Sequence, residues 1–430
     1  MKMISTRGLA PPVSASEAMT AGLAPDGGLY MPSSLPRLAP EDFSGLTRLP
    51  HIAERLLRDF FADDVLAAKL PAICRAAFTV EPPLRPFGAE GDYLLELFHG
   101  PTAAFKDYGA GFLAACLAAL APREQALTIV VATSGDTGAA VAAAFHGRPG
   151  FRVLILYPQG RVSPRQAHQR GCFDGNVRAF RVAGSFDDCQ RLAKAVLADN
   201  ELKQDVPLSS ANSISLGRLL PQMAYYAQAS LVHWRAHRRP LGFVVPTGNL
   251  GNALACLLVR HMGLPVGGIV LAGNANQVLA EFFAGGEYRP RPGIPTLANA
   301  MDVGSPNNFE RLDWLFPDEP ELRNALRAES VDDRTIEATV RASHARLGET
   351  ICPHTATAVQ VLQRLRARGE TGDWCVVATA HPAKFPEVVE PLVGAAVPLP
   401  PALAAMLERP SRAEPLAADE PALKALLRAW

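Results

Sequence analysis

From residue 93 onward, short unbroken apolar runs alternate with longer Ala/Leu-rich stretches. Runs such as Ile129-Val130-Val131 and Phe243-Val244-Val245 lack the every-second-residue polarity of a half-exposed strand, so they predict strands covered on both faces, as in a parallel sheet. The clearest predicted strands are 127–133, 153–157, 242–245, 268–272 and 374–379. Strand followed by helix, repeated, is the rhythm of an α/β fold. Residues 1 to about 90 read differently, with predicted helices over 14–21, 52–61 and 65–77 broken by turns such as Ala24-Pro25-Asp26-Gly27-Gly28. After Glu390 the chain becomes Pro-rich and predicts short helices docked on the surface.

Length and composition narrow the class. At 430 residues the chain exceeds one hydrophobic core and predicts about two or three domains. We divide it into an N-terminal domain (1–90), a large domain (91–125 with 215–395), a small domain (126–214) and a tail (396–430). With 48% hydrophobic and 20% charged residues, neither a disordered nor a fibrous chain is expected. The formal charge is +0, from 42 basic and 42 acidic side chains, so no overall field draws the protein to nucleic acid or an anionic membrane. An anionic substrate needs a local cluster. The seven cysteines, an odd number without CxxC spacing, argue against a disulfide framework and a zinc site and fit a reducing cytoplasm. The start MKMISTRGLAPP lacks the apolar core of a secretory signal, and Ala-rich runs such as 111–121 are too short to span a bilayer.

Four segments carry candidate chemistry. Three join a strand to a Gly-rich or hydroxyl-rich turn, at the strand ends where open α/β sheets bind ligands: 131–138, 245–252 and 377–382. In the second, the glycines among Gly248, Asn249, Leu250, Gly251 and Asn252 let backbone N–H groups converge on an anion at the start of a predicted helix over 253–261. It matches neither the Walker A pattern nor G-x-G-x-x-G, and a generic strand-to-helix turn is the alternative. The fourth segment, 97–107, puts Lys106 after Ala103-Ala104-Phe105. An amine desolvated by such neighbours has the lowered pKa that Schiff-base formation requires, whereas most lysines are simply solvated. The turn 133–138 offers hydroxyls and N–H groups to a substrate carboxylate, or ordinary helix capping. Thr379 either finishes a strand or sets its hydroxyl against a cofactor ring nitrogen.

Together with STRG at 5–8, GLAPDGGLY at 22–30, FHGPTAAFKDYG at 98–109, TSGDTGAA at 133–140, YPQGRVSP at 157–164, SANSIS at 210–215, NAMDVGSPNNFER at 299–311 and ATAHPAKFPE at 378–387, these segments closely resemble the threonine synthase family, longer bacterial and fungal branch. The resemblance covers nearly the whole chain. It implies a pyridoxal 5'-phosphate enzyme of fold type II, with two open twisted, mainly parallel sheets covered by helices, and an extra N-terminal domain. It implies Lys106 as the amine that bonds the cofactor, Gly248 to Asn252 as the cup for its phosphate, and Thr379 facing its pyridine nitrogen. Ser134, Gly135 and Thr137 would receive the substrate carboxylate. Asn212, Ser213 and Arg218 would grip the phosphate of O-phosphohomoserine, a small-molecule substrate, in a monomer or homodimer without nucleic acid or membrane partners.

Two positions depart from what the resemblance implies. Asp136 stands where many fold type II enzymes place an Asn against the cofactor's phenolic oxygen, and a carboxylate there is protonated, turned aside, or gives a proton to the cofactor linkage. Ser215 replaces the second Asn of an NSxN pattern. His99, His354 and His381 are conspicuous but receive no catalytic assignment. Two competing readings stand beside this one. The first is a phospholyase or serine/threonine dehydratase of the same cofactor class; the second is a noncatalytic binder on the same scaffold, which the presence of Lys106 disfavours.

Overall fold

The computed structural model describes residues 1–120, 125–160 and 163–430. Ala121, Arg161 and Val162, which fall within sequence stretches named above, lie outside the described residues. Among the rest, the strands are β1 (Met3–Ser5), β2 (Tyr30–Pro32), β3 (Leu84–Pro86), β4 (Asp92–Glu96), β5 (Leu127–Ala132), β6 (Phe151–Pro158) and β7 (Val177–Ala183), followed by β8 (Leu208–Ser210), β9 (Leu241–Pro246), β10 (Val266–Gly273), β11 (Arg327–Ser330), β12 (Trp374–Ala378) and β13 (Glu414–Ala417). A six-stranded sheet runs β11-β10-β9-β12-β4-β3 and a five-stranded sheet β13-β7-β6-β5-β8. Every neighbour in both is parallel except β3 with β4. The chain is thus α/β with two mainly parallel sheets, as expected.

The five strands predicted from apolar runs all form, within a few residues of their expected limits. Each of β5, β9 and β12 is buried along its whole length, which is why their side chains do not alternate. The edge strands β3, β11 and β13 are half-exposed and lack such a run. The tail corrects one expectation: besides the helices Pro401–Leu407 and Glu420–Ala429, it donates β13, which pairs with β7 and extends the five-stranded sheet. Its sequence, Glu-Pro-Leu-Ala, buries only Leu416, so backbone pairing rather than hydrophobic pattern makes it a strand.

In the N-terminal part, helices Ala15–Ala21, Leu49–Leu57 and Leu70–Ala77 form where the pattern predicts them, the first closed by a Ser14/Glu17 capping box. These helices pack into one hydrophobic cluster with the helix Lys106–Ala119, where Phe112 meets Phe61 at 6.2 Å and Phe78 at 5.9 Å between ring centroids. That helix is apolar nearly all round, so it is held on every side and fixes the lysine at its first turn. No helix among the described residues is long and apolar enough to cross a membrane, and all seven cysteines are buried and unpaired.

Candidate active site

The carboxyl ends of β5, β9 and β12 face a common cavity of about 470 Å³. Lys106, Ser134, Gly135, Asp136, Thr137, Asn212, Ser213, Arg218, Gly248, Asn249, Leu250, Gly251, Asn252 and Thr379 all line it. Segments more than two hundred residues apart in the sequence thus converge on one volume. The topology does this, because parallel strands end on the same side of their sheet.

Lys106 is placed by two backbone pairings to the segment after β12. Phe105 N–H donates to the Thr379 carbonyl at 2.9 Å and His381 N–H to the Ala103 carbonyl at 3.0 Å. Ala103 takes a left-handed conformation (φ 55°) to make this turn, and Asp107 locks the loop by accepting from Thr102 N–H at 2.9 Å and Thr102 Oγ1 at 2.6 Å. The Lys106 amine makes no hydrogen bond to the described protein and opens on the cavity. Desolvation first, with Arg218, Lys384 and Arg170 adding to it, pushes its pKa down to about 8, against the pull of Asp136.

The turn after β9 is braced from outside. The Asn249 side chain donates to Ser213 Oγ at 2.6 Å and accepts from Asn307 N–H at 2.6 Å, while the Asn249 carbonyl accepts from Asn308 Nδ2 at 2.8 Å. Asn308 is held in turn by Arg311 (2.6 Å), a fully buried guanidinium that also donates to the Tyr30 and Ile214 carbonyls. Leu250 sits in the left-handed region at φ 65°, and a Cβ on Gly248 would lie 2.8 Å from the Cα and the carbonyl oxygen of Met301. The first N–H groups of the helix Gly251–His261 have no intrahelical acceptor and stand at the cavity wall. Asn252 Oδ1 accepts from Tyr225 and Tyr226 (2.5 and 3.0 Å), and its buried Nδ2 has no partner. An orphan donor beside free helix N–H groups, in the same cavity as the Lys106 amine, fits a phosphate-bearing aldehyde such as pyridoxal phosphate.

The turn after β5 is braced from behind. The Gly135 carbonyl accepts from Thr133 Oγ1 at 3.1 Å and from buried Arg170 at 2.5 Å. The following helix, Thr137–Phe145, has no side-chain cap, so the capping alternative fails: the Ser134 and Thr137 hydroxyls make no hydrogen bond to the described protein and face the cavity. Asp136 is turned onto Gln166 Nε2 and Lys384 Nζ, each 3.1 Å from Oδ1. Burial works against its charge, but Lys384 and Lys106 outweigh it and hold the carboxyl well below the usual carboxylate range. That direction, with the Lys384 ammonium 3.1 Å away, favours the carboxylate over the protonated option.

Arg218 is 2% exposed and donates to the Ala211 carbonyl at 2.7 Å, leaving Nε without a partner. Asn212 Oδ1 is also unpartnered. Ser215 is fully buried with an unpartnered hydroxyl and does not line the cavity. The Thr379 side chain lines the cavity and makes no hydrogen bond to the described protein. His354 accepts from Ala300 N–H at 3.1 Å, and burial pushes its pKa down to about 4, so at neutral pH it is a neutral acceptor holding the loop over the cavity. His381 accepts from Ala383 N–H at 3.1 Å, while exposed His99 pairs with Glu96 at 2.7 Å. Sequence reading missed Lys384 and Arg311, both buried and both inside segments it quoted; a charged residue amid Ala, Pro and Phe in 380–386 was the available signal for the first.

Family models agree along the chain. Residues 87–382 match the model of a pyridoxal-phosphate dependent enzyme, 2–78 that of the threonine synthase N terminus and 355–427 that of the threonine synthase C-terminal region. The threonine synthase of Serratia marcescens is 40% identical over 418 residues, covering 95% of each chain. Among solved structures, threonine synthase from Escherichia coli superposes with a TM-score of 0.92 at 38% identity over 100% of both chains. The PLP-bound threonine synthase from Brucella melitensis gives 0.90 at 34% identity, covering 100% of this chain and 99% of that one.

Proposed function

The chain belongs to the threonine synthase family of fold type II, with pyridoxal phosphate as its cofactor, and from that premise we propose that it acts on O-phosphohomoserine, releasing phosphate and adding water to give threonine. Lys106 would be the amine that bonds the cofactor aldehyde, the turn Gly248, Asn249, Leu250, Gly251 and Asn252 would hold its phosphate on backbone N–H groups and Asn252 Nδ2, and Thr379 would face its ring nitrogen. When bound, the cofactor supplies an electron sink that lowers the cost of a carbanion beside the amino-bearing carbon.

This chain's residues do the rest. Ser134 and Thr137 hydroxyls, with the N–H groups from Gly135 onward, orient the substrate carboxylate at a helix N-terminus. Arg218, with an unspent Nε, and Asn212 and Ser213 beside it bind the substrate phosphate, which the guanidinium fork suits. Once released from the cofactor, Lys106 Nζ takes and returns protons, and a pKa of about 8 keeps both of its forms accessible near neutral pH. The enclosing loops keep bulk water from the reacting carbon while it is basic. The observation carrying this reading is an unpaired amine, a turn of free helix N–H groups and a second cation with a donor to spare, all lining one cavity.

The test follows threonine and inorganic phosphate together when O-phosphohomoserine is added to the cofactor-loaded protein. Lys106→Ala is expected to abolish turnover and to hold cofactor that borohydride no longer fixes to the chain. Preferential turnover of threonine or phosphoserine would move the assignment to a dehydratase or phospholyase. Retained turnover with cofactor fixed at another lysine would overturn the role of Lys106.

A further inference from the structure

Lys384 has no exposed surface, and it is tied to three separate segments. Its ammonium donates to the Thr102 carbonyl at 2.6 Å and to Gln169 Oε1 at 2.8 Å, and lies 3.1 Å from Asp136 Oδ1. Taking an ammonium and a carboxylate out of water is costly for each, so the pair is not expected as mere filling. Gln166 also donates to Oδ1, whereas Oδ2 accepts no hydrogen bond from the described protein, although Asp136 lines the cavity beside Lys106. One oxygen is spent on holding the charge and the other is left facing the ligand.

Resting on the reading above, the geometry of the cofactor supplies the partner. In pyridoxal phosphate the carbon bearing the aldehyde lies between the carbon bearing the phosphate arm and the carbon bearing a phenolic hydroxyl. With the aldehyde on Lys106 and the arm at the Gly248 turn, the hydroxyl falls next to Lys106 on the side away from that turn. Asp136 comes from the other sheet, and the same loop brings Gly135 so close that a Cβ there would stand 3.7 Å from Lys106 Nζ. We propose that Lys384 is a positioning residue that keeps Asp136 charged, and that Asp136 Oδ2 accepts the proton of the cofactor's phenolic hydroxyl, so that the resting cofactor keeps this proton on oxygen.

The chemistry is a proton location and no more: a carboxylate repels a phenolate and accepts from a phenol. An amide at this position would donate to the phenolate and favour the opposite form. The titratable and charged groups around Asp136 are Lys106, Lys384, Arg170, Asp107, His354 and Cys352. Only Lys384 among them is within ion-pair distance.

The test is the absorption spectrum of cofactor-loaded protein, because the form with its proton on oxygen absorbs at shorter wavelength than the form with its proton on nitrogen. Wild type is expected to favour the short-wavelength form. Asp136→Asn should move the ratio of the two forms at least tenfold toward the long-wavelength one. Lys384→Met should move it the same way, since an unpaired Asp136 takes up a proton and becomes a donor, and the double variant should match Asp136→Asn alone. Identical spectra for wild type and Asp136→Asn, both with cofactor fixed to Lys106 by borohydride, would overturn the inference. A Lys384→Met spectrum equal to wild type would overturn the part assigned to Lys384; should that variant not fold, Lys384→Gln at the same bands decides it. If no protein carries cofactor on Lys106, the functional reading fails instead, so the two failures are distinguishable.

Discussion

The turns after β5 and after β9 look alike in sequence, each a strand ending in Thr, then small residues, then a helix, yet they are held in place by different means. The β9 turn spends its Asn249 side chain on neighbouring loops and rests, through Asn308, on a buried Arg311 bonded to carbonyls of two other regions, Tyr30 and Ile214. The β5 turn leaves the Ser134 and Thr137 hydroxyls without a partner in the described protein and is supported by charge: Arg170 on the Gly135 carbonyl, Lys384 on Asp136. A turn that grips a resident group has to be rigid before the group arrives. A turn that exchanges substrate for product at each cycle needs unspent donors instead.

Adding one methyl to each turn should separate them most sharply. At Gly248 the new carbon meets Met301 backbone at 2.8 Å, and cofactor affinity measured by titration of the apoprotein is expected to fall about 100-fold, the scale of overpacking a close site. At Gly135 it meets the Ala300 Cβ at 2.9 Å; KM should rise about tenfold, with cofactor affinity nearly intact, and Ala300→Gly should restore it. No side-chain change can rescue Gly248→Ala, because backbone stands in the way.

Between the turns lies the Lys106 amine, and only its uncharged form attacks an aldehyde. The rate of cofactor capture by apoprotein should therefore climb by roughly tenfold per pH unit and flatten above a pH of about 8. The sign follows from a lowered pKa: an ordinary lysine, at 10.5, would go on gaining well past that point. A profile still rising above pH 9 by stopped-flow absorbance would show an amine that is not desolvated.

The braces give the smallest effects. Arg311→Met should cost about 3 kcal/mol in denaturant unfolding, since it strands buried carbonyls, and should weaken cofactor binding by about tenfold. Arg170→Met should cost under about 1 kcal/mol, because two of its three guanidinium nitrogens already lack partners, and should raise KM only a few-fold. Equal losses of cofactor affinity in the two variants would erase the distinction between the turns.

The apolar runs at 127–133, 242–245 and 374–379 made the central strands legible because a strand buried on both faces has no freedom to be polar. Lys106 was legible for a similar reason, as a lysine amid Ala and Phe at a helix start. The edge strands were not: β13 is a strand because β7 offers it unpaired backbone groups, and nothing in Glu-Pro-Leu-Ala records that. Asp136 is the plainest case. Sequence alone left its charge open, and the answer came from Lys384, 248 positions away, which the fold carries to 3.1 Å. Local pattern thus determined which stretches could be buried, because a segment that enters the interior on both faces has to be apolar along its length. Tertiary structure decided which charges are paired, since a Coulomb interaction depends on distance in space and a parallel sheet brings together residues that the sequence keeps far apart.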